Sequence, residues 1–179
     1  MRALVVYESV YGNTRAVAEA IAEGLDGADT VAVCDATNRS LDVELLVVGG
    51  PTHMHGLSTA RSRQLAAAAA QEDPDVTVEQ SAMREPGLRA WLHDLPSRDG
   101  GCAAAFDTRL DKSPWLTGVA AHGIARRLRG RGYELLGSDS FLVQDSEGPL
   151  EQGELDRACH WGDALAHVVS AKSSSGVQS

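Results

Sequence analysis

The stretch Tyr7–Leu25, "YESVYGNTRAVAEAIAEGL", decides the architecture. The residues leading into it, "RALVVY", are apolar and read as a buried strand. Beyond Thr14, Val17, Ile21 and Leu25 recur at helical spacing, which gives "TRAVAEAIAEGL" one apolar face. Ser9 to Thr14 therefore form a strand-to-helix turn. A helix that begins directly after such a turn presents unpaired backbone N–H groups and the positive end of its dipole. Anions bind there, phosphates above all. The turn carries hydroxyls at Ser9, Tyr11 and Thr14, an amide at Asn13, a glycine at Gly12, the apolar Val10 and no lysine. That set suits a terminal phosphate held by neutral hydroxyls and backbone N–H groups. The turn has neither GxxxxGK[ST] nor GxGxxG, which argues against a P-loop and against a dinucleotide site.

Strand and helix patterns alternate outward from this stretch. Further strands are expected at Thr30–Ala36, at Glu44–Thr52, at Gly100–Thr108 and in "YELLGSDSFLV". Helices are expected at Ser58–Gln71, in "GLRAWLHDLP" up to Pro96, in "WLTGVAAHGIARRLRGRG" with its stop at Gly132, and in "LEQGELDRACHWGDALAHVV". Such alternation predicts an α/β fold, a doubly wound five-stranded parallel sheet with helices on both faces. Ligands of such sheets bind beyond the C-terminal strand ends, at the switch point in strand order. Three segments should meet there: Ser9–Thr14, Pro51–Leu57 and Phe106–Trp115.

The chain has 179 residues, 43% of them hydrophobic and 23% charged, a globular balance that suits one domain. That domain is expected over residues 1–170, with a disordered tail at 171–179. The formal net charge of −9 disfavours nucleic acid and anionic lipid as partners. It is compatible with docking to a basic protein surface, and equally with solubility alone. Cys34, Cys102 and Cys159 are odd in number and far apart, so no disulfide framework or CxxC site is indicated. No secretory signal and no apolar run of about 20 residues is visible, which makes a cytoplasmic location the expectation.

The turn resembles the flavodoxin fingerprint: a strand ending in an aromatic, then [ST]-x-x-G-x-T, then an alanine one helical turn on. Tyr7, Ser9, Gly12, Thr14 and Ala18 fall on those positions. The chain departs from the family at Val10, where a small or polar residue is usual, and at Tyr11, where threonine or serine is common. The resemblance implies a flavodoxin-like sheet of order 2-1-3-4-5 and FMN as the cofactor. It also implies that two further loops hold the flavin ring. In "GGPTHMHG", Pro51 and Gly56 would shape the turn, Thr52 would reach the ribityl chain or a ring edge, and His53, Met54 and His55 would touch the ring. In "FDTRLDKSPW", Phe106, Asp107 and Thr108 would bind the pyrimidine edge through backbone N–H groups. Arg109 would bring positive charge to a region that is acidic in most flavodoxins. Trp115 is read either as a flavin cover or as the first apolar residue of the next helix.

His53-x-His55 has no carboxylate or cysteine at ligand spacing, so no metal site is expected. Three functions remain open on this reading. The first is an FMN-dependent electron carrier served by partner proteins, a reductase and an acceptor, the chain itself being a monomer or weak oligomer. The second is an NAD(P)H-dependent quinone or flavin reductase, and the third a non-redox binding module. The polar stretch between Gln71 and Gly87 is longer than a compact connection needs. It is expected at the surface, as a partly mobile lid, a partner contact or a tolerated insertion, and its shortening is expected to leave FMN bound.

Overall fold

In the computed structural model, β1 (Ala3–Tyr7) is an inner strand of a parallel sheet, second from its edge. It pairs on one side with β2 (Asp29–Ala32) and on the other with β3 (Leu45–His53). β5 (Cys102–Leu110) follows β3, and β6 (Glu134–Val143) forms the far edge. The five long strands thus lie in the order β2-β1-β3-β5-β6. The short β4 (Gly56–Leu57) folds back antiparallel on Thr52 and His53. The structure describes residues 1–53, 56–72, 76–112, 118–145 and 147–175.

This is the flavodoxin-like order expected from the sequence, with one added strand. Leu4 and Val6 face one side of the sheet, Val5 and Tyr7 the other, and all four are buried. Strands apolar on both faces need helices on both faces. On one side, α1 (Asn13–Gly24) and α6 (Glu154–Ser175) bring Val17, Ile21 and Leu165 onto Val5, Phe106 and Phe141. On the other, α4 (Leu88–Asp94) and α5 (Ala120–Gly130) bring Leu92, Ile124 and Leu128 onto Leu4, Val6 and Val48. Each such aliphatic side chain contributes roughly 1.5–3 kcal/mol by leaving water.

Five boundaries differ from those read in the sequence. β2 stops at Ala32, and Val33–Ala36 form a short helix, α2. α3 covers Ala60–Glu72 and α5 starts at Ala120, each a little later than expected. β5 runs on to Leu110, because Thr108–Leu110 find partners in Phe141–Val143 of β6. α6 continues to Ser175, into the stretch expected as a tail. Among the described residues, no helix is long and apolar enough to cross a membrane.

Candidate functional site

The turn after β1 is built around Gly12. Its φ of 91° is left-handed, a conformation that costs a side-chain-bearing residue free energy. Gly12 donates its N–H to Ser9 Oγ at 3.1 Å, which closes the turn from inside. Ser9 is buried and acts as a pin rather than as a wall of the cavity above. Among the described residues no side chain caps α1, so the first N–H groups of that helix are left for a ligand.

A cavity of about 260 Å³ opens against this end of the helix. Val10, Tyr11, Asn13 and Thr14 line it from the turn, Pro51 and Thr52 from β3, Thr108, Arg109 and Leu110 from β5, and Val143 from β6. The two threonine hydroxyls, Thr14 Oγ1 and Thr108 Oγ1, lie 2.7 Å apart. One proton is used between them, so the other remains to be donated to a ligand oxygen. Burial raises the Tyr11 phenol above its ordinary range, and the charge of Glu147 adds to this, so Tyr11 is a neutral hydroxyl at physiological pH. Arg109 directs Nη1 to the carbonyls of Leu110 and Lys112. Its buried Nε has no hydrogen-bond partner among the described residues, an unmet donor beside the cavity.

Two supports of the turn were not legible as such in the sequence. Asn13 Nδ2 donates to the Glu147 carbonyl at 2.9 Å, tying the turn to the loop after β6. The polar stretch before α4 supplies the second. Glu79 N–H donates to the Val10 carbonyl at 2.8 Å, and Val10 packs with Ala66 and Ala82. Glu79 also pairs with Arg15 Nε at 3.0 Å. Here the structure revises the sequence reading: residues 76–84 brace the turn, and Val10 is apolar because they cover it. Shortening this stretch should therefore loosen the turn.

Phe106 and Asp107 were expected where the strand gives way to its loop, offering backbone N–H groups to the flavin. Both lie inside β5, fully buried. Phe106 points into the α1/α6 core, over Gly49, where a Cβ would come within 2.1 Å of its ring. Asp107 Oδ2 accepts from Thr52 Oγ1 and from the Ala121 N–H, both at 2.9 Å, while Thr52 Oγ1 accepts the Ala120 N–H at 2.9 Å. The pair thereby anchors the start of α5 to β3 and β5. Gly56 lies in β4 and lines a neighbouring cleft. The backbone of His53 pairs with Gly56, while Met54, His55 and Trp115 lie outside the described residues.

Burial pushes the Asp107 carboxyl above its ordinary value of 3.8, against the pull of its donors and of Arg109. A raised pKa in the folded state means that ionisation costs stability. Asp107 thus contributes most below about pH 3.8, and the contribution is lost as pH rises through the folded pKa. Asp107→Asn keeps an acceptor for Thr52 and Ala121 without the charge. It should melt at or above the parent at pH 7, with the two curves converging near pH 4. A lower melting temperature for the variant at pH 7 alone would show that the charge is required.

Residues 4–68 match the model of the flavodoxin domain family, Flavodoxin_5. The matched span contains β1, the turn, α1 and β3 with its hairpin. The first part of the chain is thus similar to the flavodoxin family. Solved structures agree on the fold over nearly the whole length. A flavodoxin from the domain Archaea superposes with a TM-score of 0.56 at 20% identity, covering 95% of this chain and 99% of its own. The WrbA-like flavodoxin of Agrobacterium tumefaciens gives 0.53 at 21% identity, covering 95% and 98%. The flavodoxin of Streptococcus pneumoniae TIGR4 gives 0.59 at 16% identity, covering 93% and 99%. No curated protein matches the sequence.

Within this flavodoxin fold, Glu8 sits between two fingerprint residues and is itself buried. Its carboxylate accepts the Leu88 N–H at 2.8 Å and the Ser58 hydroxyl, and lies 3.5 Å from Arg63 Nη1. Arg63 is equally buried and reaches Glu85 through Nη2 at 2.5 Å. Gly87 leaves the space for this guanidinium, since a Cβ there would meet Nη1 at 2.2 Å. Sequence spacing gives no sign of this cluster, whose members come from four separate segments.

Proposed function

We propose that the cavity beside the turn holds FMN and that the protein carries electrons between partner proteins. One observation carries the reading. A turn of neutral hydroxyls ends at the uncapped N-terminus of α1 and opens into a cavity shared with the ends of β3 and β5. The donor set fits the cofactor: helix N–H groups and one threonine proton for a phosphate, and the unmet Arg109 Nε for a ring carbonyl. Bound FMN would supply the one- and two-electron chemistry. The residues of the chain do the rest. Thr14 and the start of α1 hold the phosphate. Thr52 and Asp107 spend their hydrogen bonds on one another and on α5, and so fix the backbone under the ring. The positive charge of Arg109 favours added negative charge on the ring, which raises the reduction potential.

A reductase and an acceptor are the partners this role requires, and a cytoplasmic location and a monomer or weak oligomer accord with it. The test is a fluorescence-quenching titration with FMN and with riboflavin. FMN should bind more tightly by roughly tenfold or more, since each hydrogen bond to the phosphate contributes about 1.5–3 kcal/mol. Equal affinities would sink the assignment. Stopped-flow mixing of the FMN-loaded protein with NADPH then separates carrier from reductase. A carrier is bleached slowly by NADPH alone and fast when a separate reductase is added.

A further inference from the structure

A second cleft, of about 440 Å³, lies on the other side of the β3–β4 hairpin. Its floor is Leu57, Val119 and Ala120, and its walls carry Arg89 from α4 and Arg126 and Arg127 from α5. No aspartate or glutamate is among the described residues that line it, in a chain whose net charge is −9. Nor does any carboxylate among the described residues form an ion pair with these three arginines.

Two of the three guanidiniums are held in place by backbone carbonyls. Arg89 Nη2 donates to Leu57 O at 2.9 Å, and Arg127 Nη1 donates to Gly123 O at 2.9 Å. Gly123 keeps the helix surface bare beside Arg127, where a Cβ would already sit 3.4 Å from Nη1. Burial, together with the charges of Arg89 and Arg126, holds the Arg127 guanidinium below its ordinary value. Like charges gathered in a concave, partly desolvated site focus a positive potential on it. An anion relieves that repulsion, and the planar forks of arginine match phosphate oxygens two at a time. Three forks exceed what one phosphate can use, and the volume lies in the range of small-ligand sites.

We propose that this cleft binds a small-molecule diphosphate, free or as the diphosphate of a nucleotide. It is separate from the FMN cavity, and one hydrogen-bonded pair, Thr52 and Ala120, joins the two walls. The inference does not depend on FMN binding.

The experiment is isothermal titration of the full chain with inorganic pyrophosphate, and in a second arm with ADP, at constant ionic strength set with sodium chloride. Arg126→Gln combined with Arg127→Gln should weaken pyrophosphate by roughly tenfold or more, because each charged hydrogen bond lost is of that order. Thr14→Ala should leave it unchanged, which separates this cleft from the turn after β1. Arg126 is exposed and unpaired by carboxylates among the described residues, so Arg126→Gln alone should fold normally and show a smaller loss. Tighter binding of ADP than of pyrophosphate would name a nucleotide as the source, and the reverse a free diphosphate. Pyrophosphate heats that are absent from the parent, or identical in the double variant, would overturn the proposal. So would a loss confined to Thr14→Ala, since the anion would then sit at α1.

Discussion

Thr14→Ala is expected to weaken FMN binding by roughly 10- to 100-fold while leaving riboflavin binding nearly unchanged. Thr14 is the second residue of α1, buried, and its Oγ1 lies 2.7 Å from Thr108 Oγ1. Only one of the two hydroxyl protons can lie between these oxygens. In the absence of an anion, the second has no fixed target among the described residues. With a phosphate at the head of α1, it becomes a charge-assisted donor in a site shielded from water. The alanine removes that donor and leaves Thr108 to turn towards water in the cavity. The helix dipole is untouched, so the remaining affinity should still favour FMN over riboflavin. Riboflavin has no phosphate, and its affinity reports whether the rest of the cavity survives. If Thr14→Ala lowered both affinities alike, the hydroxyl would be holding the turn together, not the phosphate. Thr108→Val gives a second reading, because it frees the Thr14 proton entirely. It should cost less than Thr14→Ala if Thr14 is the residue that donates.

The parts of this site that were legible in the sequence are those made by one continuous segment. "SVYGNT" between an apolar strand and an amphipathic helix fixes an anion seat by local rules, and Gly12 adopts the positive φ the turn needs. The parallel sheet was legible for the same reason, since "ALVVY" and "ELLVVGG" are apolar on both faces. Tertiary pairing decided what could not be read locally. The strand was expected to end at Thr108, yet β6 supplies partners as far as Val143 and the strand runs on to Leu110. The destination of the Phe106 side chain was not legible either: it fills the space that Gly49 leaves in the core. Val10 looked like a weak point in the turn, and it is the contact that residues 76–84 cover. Arg126 and Arg127 lie late in α5, and only the fold brings Arg89 to face them. In each case the deciding partner lies more than 30 residues away in sequence, beyond the reach of periodicity.

Arg63→Ala is expected to destabilise the protein by about 3–5 kcal/mol, the range for removing one member of a buried ion pair. Glu8 would remain in place, on the chain between Tyr7 and Ser9, with its side chain 2% exposed. The Leu88 N–H and the Ser58 hydroxyl would still face it, but no cation would. Since the loss arises from the charge left behind, removing that charge as well should restore most of the stability. Glu8→Gln in the Arg63→Ala background retains an acceptor for Leu88 N–H and relieves the carboxylate of its unpaired burial. The double variant should therefore be more stable than Arg63→Ala alone, a sign opposite to that of additive damage. Denaturant unfolding of the four proteins measures this directly. The site should follow the same order. Glu8 joins the end of β1 to the start of α4, and its backbone N–H donates to Gly49 O at 3.0 Å, so a strained Glu8 disturbs the turn at its root. FMN affinity is then expected to fall in Arg63→Ala and to recover in the double variant. If the double variant were the least stable of the four, Arg63 would act by packing its stem against Gly87 and α4, and the ion pair would contribute little.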